Sequence, residues 1–332
     1  MGARKRWLVF GLGLLLSLVF LGLALRDLHL GEVWAAMRSA RYGWVIPGLL
    51  VYFLSVYVRS WRWAYLLRAA KPLPAGRLFP IIIIGYMGND IFPFRLGEVL
   101  RAYVLWRREG INFGTTLTTA VAERLFDGLT MVLFVVIGLL FIPLSALLRP
   151  LVVIAGAIFL AVLLAFLVLA SRPALLRTLA QRLVHLFVPQ RLRAPVLGLV
   201  EGVITGLAVF RTGTEVFTTF LLTLGVWLLE IGKYWLVSQA FALAMSFPAI
   251  MLMGGTVNLL TALPSLPGYV GTFEMGIKVL QALGASADVA GSYILVLHAL
   301  LWFPIVALGL VFFLREGLSW SEVQQASQMK GA

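Results

Sequence analysis

Along the chain, apolar residues gather into long runs separated by short polar stretches, unlike the one-sided stripe of a soluble helix or the alternation of a half-buried strand. Six runs reach the roughly 20 residues of helix that a hydrocarbon core of about 30 Å requires. They are 7–25, 44–66, 115–142, 151–170, 215–244 and 289–314. The first follows Arg4, Lys5 and Arg6 and has no small-residue cleavage pattern after it, so it reads as an uncleaved helix rather than a signal peptide. Two further apolar runs, 78–94 and 248–269, are broken by glycine and proline. Irregular backbone at membrane depth is tolerated only where protein or a water-filled cavity surrounds it, so both are expected to be re-entrant hairpins. Counted as crossings instead, they give eight segments.

The prediction is an all-α polytopic membrane protein, a single transmembrane domain over 1–332, with about six full spans and two re-entrant helical hairpins. The order span, span, hairpin, span occurs twice. Three crossings per half turn the second half over, so 1–142 and 150–314 are expected to form an inverted repeat. Between them, 173–195 carries Leu175, Leu176, Leu179, Leu183, Leu186 and Phe187 at helical spacing, interleaved with Arg177, Arg182 and His185. This predicts an amphipathic helix lying in the cytoplasmic interface.

Composition narrows the function. Of 332 residues, 61% are apolar and 12% charged, which excludes a soluble globular chain. There is no cysteine, hence no disulfide or thiolate site, and His29, His185 and His298 have no ligand-like spacing; neither metal nor cofactor is expected. The net charge of +13 sits in short loops. With the amino terminus inside, eighteen of the 27 Lys and Arg fall on the inner side and five on the outer, which places both termini in the cytoplasm. That placement turns the positive charge away from nucleic acid and toward anionic headgroups, and most of the cations are arginine, suited to bidentate phosphate contacts. No GxxxxGK[ST] motif is present, so no nucleotide hydrolysis through a P-loop is expected.

The strongest local signal is the segment from Gly88 to Arg101, containing Asn89, Pro93, Arg95, Gly97 and Glu98. Glycine and proline free backbone groups there, and Glu98 and Arg101 share a helical face. Its counterpart has Asn258, Pro264, Pro267, Gly268 and Gly271 ahead of Glu274. Glu123 and Asp127, with Arg124 between them, form an i, i+4 carboxylate pair at the cytoplasmic end of the third span; two such acids repel unless a cation or proton intervenes. Arg59 and Arg62 share a face of the second span, and Glu230 and Lys233 a face of the fifth. Ionisable groups inside a span cost at least ~2.5 kcal/mol each, so their default reading is functional. Ordinary salt bridging, helix capping and nonspecific phosphate contact are the alternatives at these positions.

On those three places (Asn89, Pro93, Arg95, Gly97, Glu98, Arg101; Glu123, Arg124, Asp127; Pro267, Gly268, Gly271, Glu274) the chain resembles, over nearly its whole length, the flippase-like integral membrane family related to the transmembrane part of lysylphosphatidylglycerol synthase. The resemblance implies a prokaryotic plasma-membrane protein that moves an anionic lipid between leaflets: a phospholipid, an aminoacylated phospholipid or a polyprenyl-linked lipid. The soluble synthase domain of the bifunctional relatives is not expected, since a short tail follows Leu314. In this reading Arg59, Arg62, Asn89, Arg95, Glu98, Arg101 and Arg124 bind the headgroup. Glu123, Asp127, Glu230, Lys233 and Glu274 gate it or couple it to protons, and Pro93, Gly97, Asn258, Pro264, Pro267, Gly268 and Gly271 shape the hairpins. Two other classes stay open: a lipid-modifying transferase with Glu98, Glu123 or Asp127 as general base, and a scaffold for a lipid-modifying enzyme partner. The pattern leaves the oligomeric state open.

Overall fold

A computed structural model describes residues 29–91, 96–142, 148–241, 243–260 and 270–317. Among these, every regular element is helical. A short helix α1 (Leu30–Ser39) precedes α2 (Val45–Leu67), α3 (Ala75–Ile91), α4 (Leu96–Glu109) and α5 (Phe113–Phe141). The second half holds α6 (Leu148–Ser171), α7 (Pro173–Phe187), α8 (Gln190–Leu207), α9 (Gly213–Ser238), α10 (Phe247–Leu260), α11 (Val270–Ala282) and α12 (Ala287–Arg315). The expected first span, 7–25, lies outside the described residues. Spans two to six appear as α2, α5, α6, α9 and α12.

Local chemistry sets the ends. The Asn112 side chain accepts from Gly114 N at the start of α5, Thr212 and Glu215 form a capping box at the start of α9, and Ser286 caps α12. Gly110 and Gly284, with φ of 69° and 98°, make the left-handed turns into α5 and α12. Helix α9 stops at Ser238, short of the expected 244: Ser238 Oγ donates to Trp235 O at 2.7 Å, and the chain turns there.

Five described helical stretches are long and apolar enough to cross a membrane, and a sixth is present if α6 and α7, bent by 95° at Arg172, count as one broken span. One of the five, 192–210, was not expected. The stretch 173–195, read as one amphipathic helix, divides at Pro189, which cannot extend α7 and instead caps α8. Helix α7 leaves Leu175, Leu179, Leu183, Leu186 and Phe187 exposed. Helix α8 lies against α5 through a small-residue face: Asn112 Nδ2 donates to Gly198 O at 3.2 Å and Thr115 Oγ1 to Gly202 O at 3.0 Å.

The two broken segments are helical hairpins, α3–α4 and α10–α11, whose connections, 92–95 and 261–269, lie outside the described residues. The first extends further than the expected 78–94, because Leu96–Glu109 forms its second limb. Gly85 and Gly88 face Gly97 across it, and a Cβ on Gly97 would overlap the Gly85 carbonyl oxygen. The close packing these glycines permit is therefore made within the chain.

Packing partners repeat between the halves. Helix α2 lies along α9. Hairpin helix α3 packs on α12 and α10 packs on α5; α4 meets α5 where α11 meets α12; α1 rests on α12 where α8 rests on α5. Exchanging α1, α2, α3, α4 and α5 for α8, α9, α10, α11 and α12 maps this set of contacts onto itself.

Candidate functional site

Three polar stripes converge between the halves. On α2, Tyr52, Ser55, Arg59 and Arg62 follow at steps of three and four and so share a face; on α5, Thr119, Glu123, Asp127 and Thr130 do the same; on α9, Thr223, Trp227, Glu230 and Lys233. All twelve side chains are buried, Arg62 at 2% and Lys233 at 1% exposure. Glu123 and Asp127 sit near the middle of α5, not at its cytoplasmic end as expected from the sequence. The threonine-rich first turns of α5 are buried, and Thr115 packs on α8.

Helix α4 adds Glu98 and Arg101, and the charges close into a ring. Arg124 Nη2 donates to Glu98 Oε1 at 2.7 Å. Glu98 Oε2 lies 3.1 Å from Arg101 Nη2, which donates to Glu123 Oε2 at 2.8 Å. Glu123 Oε1 is 3.3 Å from Arg62 Nη2, and Arg62 Nη1 donates to Asp127 Oδ1 at 2.6 Å. Asp127 Oδ2, 3.9 Å from Arg124 Nη1, completes the circuit. Trp227 Nε1 also donates to Asp127 Oδ1, at 2.8 Å, and the Arg101 guanidinium stacks 4.4 Å from the Trp63 ring centre. Three arginines thus alternate with three carboxylates, and the ring is electrically balanced. That balance is what allows Arg62, Arg101, Glu123 and Asp127 to be buried as ionised groups.

A second cluster is not balanced. Glu230 receives Lys233 Nζ at 2.5 Å and Ser55 Oγ at 2.5 Å, with Arg59 Nη2 at 3.5 Å. Arg59 stacks 5.0 Å from Trp227, and Lys233 lies 4.0 Å from the Tyr52 ring. Two cations against one carboxylate leave a charge of +1.

This second cluster opens on a cavity of about 240 Å³. Its polar lining is Arg59, Glu230 and Lys233, with Arg124, Asn89, Asp90, Asn258, Tyr52 and Tyr86. The lining from α12, with Val257 of α10, is largely apolar: Ile294, Leu297, Leu301 and Trp302, with His298 among them. Asn89 Oδ1 is buried with no hydrogen-bond partner among the described residues.

Of the residues singled out in the sequence, Arg59, Asn89, Arg124, Glu230, Lys233 and Asn258 line the cavity. Arg62, Glu98, Arg101, Glu123 and Asp127 join Arg124 in the ring, behind it. Gly97 begins α4. Pro93, Arg95, Pro264, Pro267 and Gly268 lie outside the described residues, as do the side chains of Gly271 and Glu274 on α11. Tyr52, Ser55, Tyr86, Asp90 and Trp227 were missed. Ser55 and Tyr52 carry a signal in their spacing from Arg59, and Trp227 in its spacing from Glu230; Asp90 adjoins Asn89 in the motif itself. Histidine spacing also concealed one grouping: His29, Glu32 and Asp288 bring possible donor atoms within 4.8 Å of one another. There His29 N donates to Asp288 Oδ1 at 2.9 Å, which ties α1 to the start of α12.

Comparison with known proteins places this architecture. A family model for the lysylphosphatidylglycerol synthase TM region matches residues 10–309. A UPF0104 membrane protein of Methanothermobacter thermautotrophicus is 28% identical over 330 residues, 94% of each chain. A second UPF0104 membrane protein of that organism is 25% identical over 316 residues, 88% of this chain and 91% of the relative. The glycosyltransferase AglD of Haloferax volcanii is 33% identical over 119 residues, 36% of this chain and 19% of that protein. No solved structure matches. With some nine-tenths of its length matched by that family model and span-length apolar helices throughout, the chain is a multi-pass integral membrane protein and belongs to the lysylphosphatidylglycerol synthase transmembrane-region family.

Proposed function

We propose that this protein moves an anionic lipid between the leaflets of a prokaryotic plasma membrane, with both termini in the cytoplasm. One observation carries the reading: a cavity whose lining sets Arg59 and Lys233 beside Glu230, a cluster with one cation in excess, together with the apolar side chains Ile294, Leu297 and Leu301. A phosphate crossing a hydrocarbon core meets a prohibitive desolvation penalty unless cations and hydrogen-bond donors replace its water. Arg59 and Lys233 take the phosphate in this reading, and Arg124 reaches it from the ring. The acyl chains stay against the apolar side. The exchange symmetry of the helix packing supports an inverted repeat in which one half rocks against the other, and the exposed apolar face of α7 supports its lying in the cytoplasmic interface. The lipid belongs, in this reading, to the anionic set that the family resemblance names, with phosphatidylglycerol as the first to try.

The test is leaflet exchange of labelled phosphatidylglycerol in proteoliposomes. Wild-type protein is expected to exceed protein-free vesicles, and Arg59→Gln and Lys233→Gln to lose roughly 10-fold or more each, the scale of a charge-assisted hydrogen bond. Wild-type protein that moves neither this lipid nor a polyprenyl phosphate overturns the reading.

The partial match to a protein named as a glycosyltransferase favours a second reading, a membrane scaffold that presents a lipid to a separate lipid-modifying enzyme. It predicts stable co-purification with that enzyme and tolerance of Lys233→Gln. A transferase role is less well supported, because Glu98, Glu123 and Asp127 are each held by two arginines in the ring, which disfavours proton abstraction.

A further inference from the structure

Resting on that transport reading, we infer that Asp90 is the proton-binding site of the cycle, and that a proton enters there together with the lipid phosphate. The sequence pointed to Glu123, Asp127, Glu230, Glu274 and Lys233 for gating or proton coupling. The first three are each engaged by two cations in the fold, and a carboxylate so held stays ionised whatever else binds. Asp90 differs. It sits near the end of α3, its carboxylate lines the cavity, and no described cation lies within ion-pair distance of it.

Charge balance provides the coupling. The groups facing Asp90 come from every side of the cavity: Tyr52 and Arg59 on α2, Tyr86 on its own helix, and Arg124 on α5. Glu230 and Lys233 face it from α9 and His298 from α12, while Glu98 and Arg101 on the neighbouring α4 are taken up by the ring. With the ring neutral and Asp90 ionised, the described groups of the cavity sum to zero: +1 from Arg59, Glu230 and Lys233 and −1 from Asp90. A phosphodiester adds −1 and satisfies Arg59 and Lys233, so the charge left without compensation in a low-dielectric site is that of Asp90. Protonating it restores neutrality. Phosphate binding must then strengthen proton binding, and by linkage a proton must strengthen phosphate binding by the same factor. A membrane pH gradient would thereby bias the direction in which the lipid moves.

The experiment measures proton uptake when dioctanoyl-phosphatidylglycerol binds the purified full-length protein in weakly buffered detergent, beside leaflet exchange of labelled phosphatidylglycerol with and without a pH gradient. Wild-type protein is expected to take up about one proton per lipid bound and to exchange lipid at a rate that responds to the gradient. Asp90→Asn is expected to bind the lipid with proton uptake lost and to show no gradient response, while Asp90→Glu restores both. A monodisperse elution profile and an unchanged melting midpoint for both variants separate this result from misfolding. Proton uptake by Asp90→Asn equal to the wild type, or wild-type binding with no uptake, overturns the assignment of Asp90 and leaves the transport reading standing. Absence of both binding and exchange in the wild type overturns the two together.

Discussion

The two helical hairpins occupy corresponding places in the packing yet differ in what they bring. Hairpin α3–α4 contributes Asn89, Asp90, Glu98 and Arg101, and its glycines face inward, so that Gly85 and Gly88 on α3 meet Gly97 on α4. The buried face of α10 is Ala249, Ile250, Met251, Leu252, Met253 and Leu259, with Thr256 the buried polar exception among its described side chains. Its glycines face outward: Gly254 sits against Ile231 and Tyr234 of α9, and Gly255 against Val135 and Met131 of α5. Among the described residues, one hairpin is joined tightly to itself and brings charge to the site; the other is joined to the long helices and brings Asn258. Similar frameworks can thus divide the work between the hairpins, while the second half brings its charges, Glu230 and Lys233, to the cavity from α9.

The sharpest way to break this contrast is Arg101→Ala. It leaves Glu98 and Glu123 short of a buried cation and is expected to cost about 3–5 kcal/mol, read as a large fall in the melting midpoint in detergent; the corresponding polar deletion in the other hairpin, Thr256→Ala, should fall by well under half as much. Gly97→Ala comes next. Its methyl meets backbone, the Gly85 carbonyl, and overpacking of that kind is expected to destabilise by about 1–3 kcal/mol. Gly254→Ala meets mainly the end of the Ile231 side chain, which can turn aside, so its midpoint should move less. Arg124→Gln removes a side chain that is 47% exposed, so its melting should change by no more than about 1 kcal/mol while leaflet exchange slows severalfold. Lys278→Ala, on the exposed side of α11, should stay within about 0.5 kcal/mol of wild type and leave exchange unaltered; an effect there as large as that of Arg124→Gln would mean the second hairpin carries binding chemistry after all.

The long helices were legible because hydropathy over a span-length window is a local property. Spans expected at 44–66 and 289–314 appear as Val45–Leu67 and Ala287–Arg315. The division of 173–195 at Pro189 was legible in principle, since proline forbids continuation, but the apolar spacing runs across it. The ring was not legible. Its members were each visible as ionisable residues in or beside apolar runs, yet Arg62 meets Asp127 from 65 residues away and Arg101 meets Glu123 from 22, and local spacing cannot say which arginine meets which acid. Hence Lys233, read as sharing a helical face with Glu230, turns out to share Glu230 with Arg59 and to leave a cation in excess. Asp90 stood in the most informative motif of the chain and was passed over in favour of Asn89 and Arg95, because what sets it apart is that no cation pairs with it among the described residues, which is visible only in three dimensions.

The pairing of distant charges also has a consequence for how the protein is made. Helix α2 emerges from the ribosome with Arg59 and Arg62 in its apolar stretch, each costing about 2.5–3.5 kcal/mol at the centre of an isolated inserted helix. Asp127, which neutralises Arg62, is synthesised 65 residues later, and Glu230, which accepts from Ser55 and pairs with Arg59, 175 residues after that serine. Helix α2 therefore has no stable solitary existence in lipid during translation. It must wait at the insertion machinery, or in its lateral gate, until α5 and then α9 arrive, which makes assembly of the second half a condition for final release of the first.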